Sequence, residues 1–130
     1  MSKSELVARR WLRLDAFYCA SAGVLALALC VPLARLFEIP FVLVAGIGLA
    51  TTLWAWVLAR LARREHWREP LRLVAAANAA ASAGVAVLAA RAPAVAPRLL
   101  LIAVAVEVAV FAAVQFRVLR AEAARPLSRD

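Results

Sequence analysis

Four long apolar runs separated by short polar, arginine-bearing segments dominate the chain: Leu14 to Ala34, Phe41 to Ala59, Leu73 to Ala90 and Leu99 to Phe116. Each holds 18 to 21 residues, enough at about 1.5 Å of rise per residue to cross roughly 30 Å of hydrocarbon as a helix. Backbone groups in lipid must be hydrogen-bonded within the segment, and no run alternates with the period of a barrel strand, so helices are expected. Few full charges interrupt the runs. Asp15 lies at the start of the first, and Glu107 stands deep inside the fourth, where it is the only full charge between Leu99 and Phe116.

The expected fold class is all-α: a polytopic membrane protein of four transmembrane helices in an up-down-up-down bundle, N-in/C-in, forming one domain over residues 1–130. Residues 1–13 form a cytoplasmic or interfacial segment, the spans cover about 14–34, 41–59, 73–90 and 99–116, and 117–130 form a cytoplasmic tail. The connections 35–40 and 91–98 are short, so sequential helices are expected to be antiparallel neighbours. Pro32, Pro40, Pro93 and Pro97 punctuate helix ends, and the middle link from Arg60 to Arg72 contains Pro70 and the single histidine, His66. In the leading segment, Ser2 and Glu5 have capping-box spacing, and Val7, Trp11, Leu14 and Tyr18 recur at helical intervals.

Composition agrees: 66% of the 130 residues are hydrophobic, against about 45–50% for a soluble domain. The net charge of +8 would suit a nucleic-acid partner, but the placement of the basic residues argues for topology instead. Thirteen of the 16 precede the first span, fill the middle link or follow the fourth span, while Arg35, Arg91 and Arg98 alone occupy the other two loops. The positive-inside rule then puts both termini and the middle link in the cytoplasm. Fifteen of the 16 are arginine, a bias expected of a G+C-rich bacterial genome, and hence of a bacterial inner membrane. The first run is too long for a signal-peptide core and no A-x-A site follows it, so it is expected to persist in the mature protein. The basic segments are also suited to anionic lipid headgroups. Trp11, Trp54, Trp56 and Trp67 map to the same half and form an aromatic belt.

The first and third spans share short strings. Leu12-Arg13-Leu14 recurs as Leu71-Arg72-Leu73, and Ser21-Ala22-Gly23-Val24 recurs as Ser82-Ala83-Gly84-Val85, the pattern of a duplicated hairpin related about the membrane normal. The third span is almost all alanine with Asn78, Ser82 and Gly84. Its small side chains permit close backbone approach, so it is expected to be the most enclosed helix, and Asn78 and Ser82 to bond across helices. On the first span Asp15, Cys19, Ala22 and Ala26 share a narrow face; on the second, Gly48, Thr52, Ala55 and Ala59 do.

An ionisable group near mid-membrane is costly, about 2.5–3.5 kcal/mol on insertion scales for Asp, Lys or Arg, and so must be paired or put to use. Depth counting places Ser82 and Glu107 at similar levels, with Asp15, Asn78 and Gln115 nearer the cytoplasmic side. Asp15, Asn78, Ser82, Glu107 and Gln115 are therefore the candidate intramembrane polar network. Within it Glu107 is expected to bond to Ser82 or a backbone carbonyl, and to flank one groove with Gln115, which lies eight residues or about 80° away. Asp15 is expected to form an ion pair with Arg13, Arg72 or Arg117, or to anchor the interface.

No catalytic, cofactor or metal site is expected. One histidine excludes paired-imidazole haem ligation within the chain, and there is neither a phosphate-binding glycine loop nor a nucleophile elbow. Cys19 and Cys30 lie about 16 Å apart along one helix, too far to bridge, and are expected to be small core residues. Leu12-Arg13-Leu14-Asp15-Ala16 at the start of the first span, Pro32-Leu33 at its close, Asn78 with Ser82, and Phe111-Ala112-Ala113-Val114-Gln115 resemble a group of small four-helix inner-membrane proteins of bacteria. That resemblance implies the fold and brings no activity with it. Small multidrug transporters have similar size and helix number, but their essential carboxylate lies in the first span, whereas the central glutamate here is in the fourth. Two functions follow as expectations. One is a non-catalytic bundle whose partners are the lipid bilayer and a membrane protein or further copies of itself, with no nucleic acid; the other is a small oligomeric proton-coupled carrier or channel using Glu107.

Overall fold

The computed structural model describes residues 3–124, all of whose regular structure is helical. Five helices follow in order: α1 (Lys3–Ala28), α2 (Cys30–Phe37), α3 (Phe41–Leu61), α4 (Arg68–Arg91) and α5 (Val95–Ala123). Four of them, α1, α3, α4 and α5, are long and apolar enough to cross a membrane, which marks the chain as a multi-pass membrane protein. Ser2 of the expected capping box, and Arg125 and Arg129 of the tail, lie outside the described residues.

The helices outrun the apolar runs at their polar ends. Arginine, lysine and glutamate are good helix formers, so α1 runs from Lys3, in keeping with the helical spacing of the leading segment, and α5 continues through Arg117 and Arg120 to Ala123. Pro70 and Pro97 fall in first turns, where a missing N–H costs no helical hydrogen bond. The first run is not one helix but two. Pro32 has no N–H to offer Ala28, and its ring crowds that carbonyl; the backbone departs from helical angles at Leu29 (φ −107°, ψ 20°) and resumes as α2. Helix α2 then stops at Glu38, which takes a left-handed conformation (φ 55°, ψ 39°). The Ile39 N–H reaches back to the Ala34 carbonyl at 3.0 Å, the closing bond of a Schellman turn, and Pro40 follows where the chain cannot continue helically.

Packing divides the molecule into two helix pairs, α1 with α3 and α4 with α5. The first pair crosses at Gly23 and Gly48. A Cβ on Gly23 would fall 2.8 Å from the Gly48 carbonyl oxygen and 2.3 Å from Thr52 Oγ1, so backbones touch here only because both residues lack side chains. Thr52 Oγ1 turns back to the Gly48 carbonyl at 2.8 Å, which keeps its hydroxyl satisfied inside the contact. At the far end of the pair Arg9 donates to the carbonyls of Ala62 (2.9 Å) and Arg64 (2.9 Å). It thereby caps the end of α3 and is itself steadied by Glu5.

The second pair packs through small residues, with Ala89 of α4 and Ala105 and Ala112 of α5 buried. The apolar core, however, sits at the end of the molecule that carries the start of α1 and the α3–α4 link. There Ala8, Leu12, Ala16, Leu58, Ala62, Trp67, Leu71 and Val74 form one cluster drawn from α1, α3, α4 and the link. Away from it α1 and α5 still meet, through Tyr18 and Glu107 among others, and α2 touches α5. The third span shares the largest buried fraction of the four with the second, 22% against 17% for the others, yet Gly84 faces open space, with nothing within 4 Å of a Cβ built on it. Only one face of α4 has a neighbour, and smallness of side chain permits a close approach without compelling one.

The repeated strings divide in the same way. Leu12 and Leu71 are both fully buried in the common cluster, and Leu14 and Leu73 are both exposed. Gly23 lies in the helix crossing, whereas its counterpart Gly84 has no neighbour.

Candidate functional site

The five polar residues singled out from the sequence resolve into three separate arrangements. Asp15, Asn78 and Gln115 come together where α1, α4 and α5 meet, and all three are buried. Asn78 Nδ2 donates to Asp15 Oδ2 at 2.6 Å and to Gln115 Oε1 at 3.2 Å; Gln115 Nε2 donates to the same Asp15 oxygen at 2.8 Å. The other carboxylate oxygen accepts the Cys19 thiol at 3.6 Å. Each member belongs to a buried stripe of its own helix: Leu12, Asp15 and Ala16 on α1, Leu71, Val74, Ala75 and Asn78 on α4, Ala112 and Gln115 on α5.

Asp15 forms no ion pair among the described residues, contrary to the expectation from nearby arginines. Helical phase explains it. Arg13 lies two positions, about 200°, around α1 from Asp15, and Arg72 lies one position, about 100°, from buried Leu71. Both arginines therefore face outward when their neighbours face in. Two primary amides and a thiol satisfy the carboxyl group instead, and no buried polar side-chain atom among the described residues lacks a partner. Such a closed set of bonds adds directional contacts to a seam otherwise held by apolar packing, and fixes the register of one helix pair against the other.

Ser82 stands apart, donating from Oγ to the Ala105 carbonyl at 2.8 Å, a bond within the α4–α5 pair. Glu107 bonds neither to Ser82 nor to the backbone. Its partner is Tyr18 of α1, whose hydroxyl donates to Glu107 Oε2 at 2.5 Å. Nor do Glu107 and Gln115 share a groove. Ala105 and Ala112, seven residues apart, set the buried face of α5; Gln115 is about 60° from that face, whereas Glu107 is about 200° from Ala105 and emerges on the exterior. Gln115 is wholly buried and Glu107 exposed.

Around the Tyr18–Glu107 bond lies an aromatic seam between α1 and α5. Phe111 meets the edge of Trp11 at 6.0 Å between centroids and 81° between planes, and Tyr18 at 5.3 Å and 45°, separations at which aromatic pairs attract beyond their area. Arg9 is a contributor that the sequence pattern does not single out, and the pattern places Tyr18 and Cys19 only on helix faces, Cys19 on that of Asp15, without giving either a partner. For Tyr18 a signal existed: a phenol one turn inside an apolar run needs a hydrogen-bond partner.

Two concavities flank these arrangements. One, of about 280 Å³, lies between α4 and α5 and is lined by alanines, Ile102, Val106 and Arg98; Arg98 is engaged with the Ala92 carbonyl at 2.7 Å. The other, of about 490 Å³, runs along the outer side of α1 beside Leu6, Arg9, Arg10, Arg13 and Leu14. Neither is lined by Asp15, Glu107 or Tyr18. Among the described residues no three His, Cys, Asp or Glu side chains gather as metal ligands would. No family model matches the chain, and neither a curated protein nor a solved structure matches it.

Proposed function

We propose that this is a non-catalytic integral membrane bundle that binds or stabilises another membrane component through the face bearing Tyr18 and Glu107. On this reading it is an up-down-up-down, N-in/C-in protein of the bacterial inner membrane, akin to the small four-helix proteins it resembles. The observation that carries the reading is the position of Glu107. A carboxyl group nine residues beyond Arg98, on the outside of the helices and held by a single hydrogen bond, is costly against hydrocarbon. Cover from a partner's polar transmembrane surface removes that cost. Exposed Val106 and Val110 beside it supply the apolar part of such a contact. The carrier reading receives less support, because Glu107 lies on the exterior of the helices and is engaged by Tyr18.

A photo-crosslinking residue at Val110, in membranes of the native host, tests this. The expected result is a discrete protein adduct that is lost when Glu107→Leu is added and absent when the crosslinker replaces Val42 on α3, which is also exposed. Adducts with lipid alone at both positions would refute the docking face. Glu107→Gln separates the two functional readings: a docking glutamate is replaced with full complementation of a deletion strain, whereas a proton-coupled carrier keeps its abundance and loses its activity.

A further inference from the structure

We propose that the outer face of the first two turns of α1 and the start of its apolar run form a binding site for the phosphodiester headgroup of an anionic phospholipid. Taking Leu6 as origin, Arg13 lies about −20° around the helix, Phe17 about +20°, Arg10 about +40° and Leu14 about +80°. One 100° arc therefore carries two guanidiniums and three large apolar side chains. All five are exposed, Phe17 to 73%. The opposite arc, with Ala8, Leu12, Asp15 and Ala16, is the buried one, so this face is turned away from the rest of the molecule.

Neither water nor hydrocarbon suits such a mixture, but the boundary between them does. The arginines precede the apolar run and Leu14 and Phe17 stand within it, so guanidiniums at headgroup level place those two side chains against acyl chains. Arg10 and Arg13 are three residues apart, about 4.5 Å along the axis, and have no ion-pair or hydrogen-bond partner among the described residues. Arg9 has three partners and is fixed by them. It closes one side of a groove of about 490 Å³ with Leu6, Arg10, Arg13 and Leu14. Planar guanidinium donors match the paired oxygens of a phosphate, and charge complementarity selects an anionic lipid over a zwitterionic one. This inference rests on the membrane-spanning reading of α1 but not on the docking role of Glu107.

The test uses the full chain purified in mild detergent and titrated, at low salt, with phosphatidylglycerol, phosphatidylcholine or inorganic phosphate, with bound adducts counted by native mass spectrometry. Phosphatidylglycerol is expected to bind tightest, and Arg10→Gln with Arg13→Gln to weaken it about 30-fold, from about 1 kcal/mol per basic residue. Arg10→Lys with Arg13→Lys keeps the charge and is expected to lose less. The exposed Arg72→Gln, on α4, is the control and is expected to leave affinity unchanged. Equal retention in the Gln pair, an equal loss in the control, or displacement by inorganic phosphate at matched concentration would each overturn the proposal. Running Glu107→Leu in parallel separates the two readings: crosslinks kept at Val110 with lipid binding intact refute the docking role alone, whereas crosslinks lost in Glu107→Leu with undiminished phosphatidylglycerol binding in the Gln pair refute the headgroup site alone.

Discussion

Replacing Asp15 by alanine removes the acceptor on which two buried amides converge. Asn78 and Gln115 would keep their mutual bond at 3.2 Å, but the bonds of 2.6 and 2.8 Å to the Asp15 oxygen would be lost. Hydrogen bonds between membrane helices contribute on average about 0.6 kcal/mol each and at most about 1.7. A donor left buried without an acceptor costs about 1–3 kcal/mol. Two such losses, in a place where all three side chains are closed to solvent, come to about 2–6 kcal/mol for Asp15→Ala. Asp15→Asn has the same shape and can turn its oxygen toward the two amides, leaving its own NH2 beside the Cys19 sulfur, so about 1 kcal/mol or less is expected. Reversible unfolding in mild detergent measures the difference, and a double-mutant cycle with Asn78→Ala should return a coupling of about 0.5–3 kcal/mol. The reasoning fails if alanine costs no more than asparagine, or if the cycle shows no coupling.

Three further outcomes are expected. Gly23→Ala should destabilise by about 1–3 kcal/mol, because its new methyl group meets the backbone of Gly48 and Thr52, whereas Gly84→Ala should be neutral or stabilising by up to about 1 kcal/mol; melting curves in one detergent compare them, and a harmless Gly23→Ala would refute the close crossing. Arg9→Gln should cost about 1–2 kcal/mol by releasing the carbonyls of Ala62 and Arg64, while Arg10→Gln leaves stability unchanged, a contrast that chemical denaturation resolves. Single cysteines in a background lacking Cys19 and Cys30, treated with an impermeant thiol reagent in intact cells, should label at Val95 and not at His66; the reverse would invert the assigned topology.

How much of this was legible in advance depended on which physical effect decided each feature. The link at 62–67 follows from composition, and the helical character of the leading segment from its capping-box spacing and periodicity, but the extension of α5 to Ala123 follows from neither. An apolar run marks where lipid is, whereas a helix persists wherever propensity allows. The kink at Leu29 follows from Pro32 three residues on, yet by position alone Pro32 reads as the close of the span. Asp15, Asn78 and Gln115 each stand out in the sequence as polar residues in apolar runs. Their convergence was not predictable, because it needs the relative rotation of three helices.

Chain composition by itself determined the number of long helices and their apolar character, since those depend on segment length and hydropathy, which are local sums over consecutive residues. Tertiary structure alone decided partnership. It gave Glu107 to Tyr18 and not to Ser82, surrounded Asp15 with amides in place of arginines, and put Gly23 in a helix crossing while leaving Gly84 bare. The reason is geometric. A polar or small side chain states what kind of neighbour it tolerates, but a helix presents a different face every 100°, and which face meets which helix is set by the packing of all of them together.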